Sequence, residues 1–180
     1  TRFPDAPRPL RLSYAGQVLR VKGSTLRPAR QFGQAGAELI GSASPAADAE
    51  VILMAYQALE NLGIENISVD LGLPTLVPAI CATLEITDPS DLHHLRDALN
   101  QKDAAAIANI PEPTARIFGL LLNSVGPASD ALRIIKDLSL PEAAKRECQH
   151  LESVVSILIQ KAVDITLTID PVEIRGYEYH

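Results

Sequence analysis

Cysteine is scarce in this chain: two occur in 180 residues, Cys81 and Cys148, and neither belongs to a Cys-x-x-Cys pair. That argues against a disulfide framework or a zinc site and towards a reducing, cytoplasmic setting. No unbroken apolar run of about 20 residues and no stretch resembling a secretory leader is present, so neither membrane insertion nor export is expected. Also missing are a Walker-type glycine-lysine loop, a dinucleotide glycine fingerprint and a His-Glu-x-x-His helix. Their absence removes the common phosphate, dinucleotide and zinc-protease readings. No cofactor and no metal are expected.

What is present suffices for a folded domain: 47% of residues are hydrophobic and 21% charged. The net charge of −6 argues against general nucleic-acid affinity, yet the charge is unevenly placed. Residues 1–30 carry seven basic side chains (Arg2, Arg8, Arg11, Arg20, Lys22, Arg27 and Arg30) against Asp5 alone, which leaves −12 for the remainder. An anion would go to the basic end.

Weak alternation over 10–21, a glycine- and proline-containing break, and a second run over 30–40 predict two antiparallel strands joined by a basic loop. Ser44-Pro45 reads as an N-cap followed by proline at the first helical position, and Gly63 as a stop. The spacing of Val51, Ala55, Leu59 and Leu62 predicts a helix over about 45–62. A strand over Ile67–Gly72 and an apolar helix from Pro74 to Leu84, burying Val77, Ile80 and Cys81, follow. From Asp88 to Lys161 apolar residues recur at three- and four-residue steps, ending in Leu151, Val154, Val155 and Leu158, which predicts a run of amphipathic helices. Prolines 89, 111, 113, 127 and 141 mark their joints. Period-two alternation of Val163, Ile165, Leu167 and Ile169 returns the chain to a sheet.

Few side chains suggest chemistry. His93 and His94 would point about 100° apart on a helix, and Glu147-x-x-His150 is half of a carboxylate-bridged metal pattern whose second copy is missing; both read as helix surface. Arg20 follows the apolar pair Val18-Leu19 and could meet a carboxylate or phosphate with two parallel hydrogen bonds. Gln34, Gly36 and Glu38 share one strand face, where an amide and an anion beside a glycine would leave a cavity for an amino or imidazole group. Arg175, Tyr177 and Tyr179 form a matching set in the last strand, with Gly176, Glu178 and His180 on its other face. An ordinary half-exposed strand would show the same patterns.

Taken together, Tyr14-Ala15-Gly16-Gln17-Val18-Leu19-Arg20 and Arg30-Gln31-Phe32-Gly33-Gln34-Ala35-Gly36-Ala37-Glu38-Leu39-Ile40-Gly41 resemble motif 2 of class II aminoacyl-tRNA synthetases in its histidyl form. Ala47-Asp48-Ala49-Glu50-Val51-Ile52 resembles that group's next helix. Arg175-Gly176-Tyr177-Glu178-Tyr179-His180 resembles its histidine-specific strand. The synthetase pattern has a phenylalanine before the motif arginine and a glutamate two residues after it; here Leu19 and Lys22 stand there. With Tyr177-Glu178-Tyr179-His180 at the other end, the wording is more similar to the paralogous branch that serves as regulatory subunit of ATP phosphoribosyltransferase.

The resemblance implies an α+β fold: a class II synthetase-like antiparallel sheet with flanking helices and an all-helical insertion. It divides the chain into a first part of the core (1–86), the insertion (87–161) and returning core strands (162–180). Motif 1 is expected before Thr1 and motif 3 after His180, so a partial core is expected. Arg20, Gln34, Glu38, Arg175, Tyr179 and His180 would line a histidine-like pocket, none of them catalytic in the regulatory branch. The implied partners are a short-form catalytic subunit of ATP phosphoribosyltransferase, L-histidine as effector, and a second copy in a homodimer within a hetero-oligomer. Neither nucleic acid nor membrane is implied. The alternative is a fragment of the catalytic core of histidyl-tRNA synthetase, which activates histidine with ATP.

Overall fold

The computed structural model describes residues 6–23, 28–161 and 164–173. The two strands at the basic end form where the alternation places them, β1 (Leu10–Leu19) and β2 (Gln31–Ile40), paired antiparallel from Leu10 opposite Ile40 to Leu19 opposite Gln31. Residues directly opposite in such a pair project to the same side. One face of the hairpin therefore carries Leu12, Tyr14, Gly16 and Val18 with Phe32, Gln34, Gly36 and Glu38. The other face carries Arg11, Ser13 and Ala15 with Ala35, Ala37 and Leu39.

Gly41, at φ +94°, turns the chain out of β2, a left-handed conformation that glycine adopts without a Cβ penalty. Helix α1 (Pro45–Asn61) then starts as its sequence requires, with the Ser44 hydroxyl accepting from the Ala47 N–H at 3.3 Å and Pro45 at the first position. Gly63, at φ +77°, lies just beyond its end. The face that α1 buries differs from the one the spacing selects. Ala47 and Ala49 are buried and Ile52 and Leu53 half-buried, whereas Leu59 is 39% and Leu62 77% exposed. The segment from Val51 to Leu59 is apolar around most of its circumference, so periodicity identifies no single face. Contact with a distant helix makes the choice.

After α1 come β3 (Ser68–Gly72), α2 (Leu76–Thr83), α3 (Pro89–Asn100), α4 (Ala104–Ala108), α5 (Thr114–Asn123), β4 (Gly126–Pro127), α6 (Ala128–Lys136), α7 (Glu142–Lys161) and β5 (Thr166–Asp170). Val77, Ile80 and Cys81 of α2 are buried as expected. Asp88 caps α3, accepting from the N–H groups of Ser90 and Asp91 at 2.8 and 3.2 Å, with Pro89 in the first turn. Pro127 differs from its expected role as a plain helix joint: it also belongs to the two-residue strand β4, opposite Thr168. As an edge position β4 tolerates a residue with no N–H to donate.

The second sheet has the order β3-β5-β4. The hairpin is antiparallel, as expected, and so is the β4–β5 pair, while β3 and β5 within this sheet run parallel, Ser68 opposite Thr166 through Gly72 opposite Asp170. A parallel pair needs a crossover connection, and the whole helical stretch from α2 to α7 supplies it. Those helices share one apolar core with the sheet. Leu71, Leu76 and Ile80 from the first segment, Leu99, Phe118, Ile135, Val154 and Leu158 from the helical segment, and Ile169 and Val172 from the return all belong to a single buried cluster. Helix α7 lies against α1 and α2, carrying Leu151, Val154, Val155 and Leu158 on its buried face.

Candidate functional site

The hairpin brings three of the six expected pocket residues onto one face, and what surrounds them decides what that face can do. Arg20 lies just past β1, where its backbone N–H donates to the Arg30 carbonyl at 2.8 Å, so the ladder continues one residue beyond the strands. The Arg30 side chain returns the contact, its Nε donating to the Arg20 carbonyl at 3.2 Å. The Arg20 guanidinium carbon sits 4.6 Å from the centre of the Phe32 ring, within cation–π range. Arg20 and Phe32 also line a recess of about 330 Å³ with Pro28 and Ala29. A guanidinium stacked over a ring keeps its in-plane N–H donors for an incoming carboxylate or phosphate.

Four pairs along the ladder from Val18 and Phe32, Tyr14 faces Gly36. The cavity expected beside the glycine is absent because the Tyr14 ring occupies that space: a Cβ added at Gly36 would fall 2.5 Å from the phenol oxygen. Gln34 then donates from Nε2 to the Tyr14 hydroxyl at 2.7 Å. Tyr14 is thus a member of this face that strand spacing within β2 could not reveal, its partners being some 20 residues distant along the chain. Glu38 lies opposite Leu12 and is exposed. Strand rise sets the scale of the site. Glu38 is eight residues along β2 from the level of Arg20, at most roughly 27 Å, and Gln34 lies about midway. One free amino acid fits between Gln34 and Glu38, and only an extended ligand reaches Arg20 as well. Arg175, Tyr179 and His180 lie outside the described residues.

The opposite hairpin face is tied down. Arg11 donates to Glu50 of α1 through both Nε and Nη2, the second bond at 2.8 Å. The paired guanidinium lowers the Glu50 carboxyl below its ordinary value, and the carboxylate raises Arg11. The face carrying Arg20, Gln34 and Glu38 is left turned away from α1.

A second concavity, of about 660 Å³, opens where α1, the β3–α2 turn and α7 meet, lined among others by Asp48, Asp70, Arg146, Glu147 and His150. His150 was expected on a plain helix surface. Its Nε2 instead meets Asp48 Oδ2 at 2.6 Å, linking α7 to α1. The two residues are 102 apart in sequence, so no local pattern announces the pair. Neighbouring Cys148 is half-buried with its thiol pushed up to about 11, by burial first and by the Glu147 charge second. No group of three His, Cys, Asp or Glu side chains able to hold a metal occurs among the described residues. No helix among them is long and apolar enough to cross a membrane.

Comparison with known proteins adds the following. A family described as histidyl-tRNA synthetase matches residues 1–180. The chain is 51% identical over 180 residues to an ATP phosphoribosyltransferase regulatory subunit of Paramagnetospirillum magneticum, covering 100% of this chain and 47% of the relative. It is 48% identical over 179 residues to the protein of that name from Rhodospirillum centenum, covering 99% and 46%. The chain therefore spans about half the length of these relatives. Among solved structures, an ATP phosphoribosyltransferase regulatory subunit/histidyl-tRNA synthetase from Bacillus halodurans superposes with a TM-score of 0.81 at 22% identity, covering 100% of this chain and 48% of that one. The ATP phosphoribosyl transferase (HisG:HisZ) complex from Thermotoga maritima gives a TM-score of 0.66 at 16% identity, over 94% of this chain and 58% of that one. The α+β class II synthetase-like fold is shared with these structures.

Proposed function

The chain belongs to the histidyl-tRNA synthetase family, and from that premise we propose that it is part of a regulatory subunit of ATP phosphoribosyltransferase, acting at the first step of histidine biosynthesis. The observation that carries this reading is identity of 48–51% along the whole chain to proteins of that name. The subunit is non-catalytic. It supports a separate short catalytic chain, a partner of the kind named in the Thermotoga maritima complex, and makes that chain responsive to histidine. In this reading residues 87–161 are the helical insertion between core segments 1–86 and 162–180, and the full-length subunit is a homodimer within a hetero-oligomer.

The pocket is the hairpin face with Arg20, Gln34 and Glu38, completed by Arg175, Tyr179 and His180 of the returning strand. Glu38 would accept from the ammonium group of histidine and Gln34 would orient it, whereas Arg20, beyond the reach of the same free amino acid, would bind a separate anion or the far end of an extended ligand. Exposed Lys22 stands where the resembled synthetase pattern has a carboxylate, which opposes the synthetase manner of holding ATP. Feedback requires histidine to bind one state of the complex better than another, and couplings of this kind are typically about 1–3 kcal/mol.

The test is reconstitution. The full polypeptide, mixed with the short catalytic chain, should raise phosphoribosyl transfer from a low basal rate, and histidine should then suppress it. Glu38→Gln should weaken the histidine response while leaving complex formation intact. An unchanged basal rate in the mixture sinks the proposal. Histidine-dependent exchange of pyrophosphate into ATP by the polypeptide alone would assign it to the synthetase branch instead.

A further inference from the structure

Helix α3 ends in a turn that favours glycine and holds a lysine instead. The Lys102 N–H donates to the Leu99 carbonyl at 3.1 Å and the Asp103 N–H to the Ala98 carbonyl at 2.9 Å, with Lys102 at φ +55°. This is the left-handed helix end at which a Cβ is a disadvantage. What a glycine could not supply there is the side chain. Lys102 Nζ reaches Asp170 at the end of β5, 68 residues away, and lies 2.8 Å from its Oδ1 and 2.6 Å from its Oδ2.

Asp170 is the residue through which the chain leaves the sheet. Its Oδ1 also accepts from the Val172 N–H at 3.2 Å, and its carbonyl accepts from the Glu173 N–H at 3.5 Å, so the carboxylate shapes the turn it stands in. Pro171 and Val172 are fully buried beside it. The Lys102 and Asp170 side chains are 34% and 15% exposed, against 60% and 42% for Arg11 and Glu50. Desolvation offsets much of the attraction in such an enclosed pair, so its contribution is to geometry more than to stability. Arg175 follows Asp170 by five residues, at most roughly 18 Å of chain. The direction set at Asp170 therefore governs where Arg175 can go.

We propose that Lys102 is a positioning residue of the histidine pocket. Its ion pair with Asp170 fixes the exit from β5, and so couples the helical insertion to the segment that carries Arg175, Tyr179 and His180. This rests on the reading above that those three residues complete the pocket. Lys102 itself touches no ligand and acts through Asp170 alone.

The test measures histidine binding to the full polypeptide by calorimetry, and histidine-free activation of the short catalytic chain by the same variants. Lys102→Met keeps the stem and removes the charge. It should raise the histidine dissociation constant about tenfold, within the range for coupled sites, and leave histidine-free activation unchanged. Lys102→Arg, which still pairs with a carboxylate, should recover most of the affinity. Asp170→Asn keeps an acceptor for the Val172 N–H and should match Lys102→Met, with the double variant no weaker than either single one. Lys102→Gly separates positioning from stability, and it serves also if Asp170→Asn does not fold. Glycine suits the helix end, so the thermal midpoint should hold or rise while histidine affinity still falls. Unchanged affinity in Lys102→Met and Lys102→Gly overturns the inference and leaves the pocket reading standing. Affinity that falls only in step with the thermal midpoint also overturns it. If the wild-type polypeptide binds no histidine, the pocket reading fails and this inference with it.

Discussion

Tyr14 bonds to Gln34 and covers Gly36, and these two contacts make separable demands. Removing the hydroxyl (Tyr14→Phe) takes away one neutral, solvent-exposed hydrogen bond, so a loss of stability at or below about 0.5–1 kcal/mol is expected in denaturant melts. Gly36→Ala instead evicts the ring, because the new methyl claims the space of the phenol. Ring-to-strand nuclear Overhauser contacts from Tyr14 should persist in the first variant and vanish in the second. The trio Gln34, Gly36 and Glu38 was legible from a two-residue spacing; the tyrosine that fills the gap was not, because strand period says nothing about which residue sits across the ladder. Cys148 gives a prediction of another kind. With its thiol raised to about 11, the thiolate that reacts is rare at pH 8, and modification by a disulfide reagent should run about two orders of magnitude slower than for free cysteine. Guanidinium chloride should abolish the difference.

Two elements, the hairpin and α1, are joined at one point that reports on pH. Glu50 has its carboxyl lowered from the ordinary 4.5 by the Arg11 bonds. A depressed carboxylate contributes stability above its unfolded value and loses it as pH falls through the folded one. Amide exchange in β1 and β2 should therefore accelerate relative to that in α7 as pH is lowered below about 4.5, and Arg11→Ala should flatten this difference. Both groups are exposed, so the effect is confined to local opening of the hairpin. Helix α1 shows how much of an element a sequence discloses. Its limits were legible, because Ser44, Pro45 and Gly63 act within a turn of themselves. Its buried face was not, since Ala49, Ile52 and Leu53 are chosen by α7, about a hundred residues later. Ser44→Ala, which removes the cap without touching that packing, should cost about 1 kcal/mol.

The helical segment could unfold alone if it were an appendage, but in this topology it is the crossover between two parallel neighbours. Pairing β3 with β5 requires everything between residues 72 and 166 to fold back over the sheet, and the core formed in doing so includes Leu71, Phe118, Leu158 and Ile169 together. Sequence periodicity identified the helices one by one. It could not show that they close a sheet, because parallel pairing leaves no local mark comparable to a hairpin turn. A shared core predicts shared stability. Phe118 is fully buried in α5, far in sequence from either strand, and Phe118→Ala should cost about 3–5 kcal/mol. The informative quantity is where that loss appears. If the core is one cooperative unit, amide protection in β3 and β5 should fall by the same free energy as protection in α5 and α7, and far-ultraviolet dichroism should show one transition at a lower midpoint. Loss of protection confined to α4, α5 and α6, with β3 and β5 unchanged, would show instead that the insertion has its own stability and that the sheet does not depend on it.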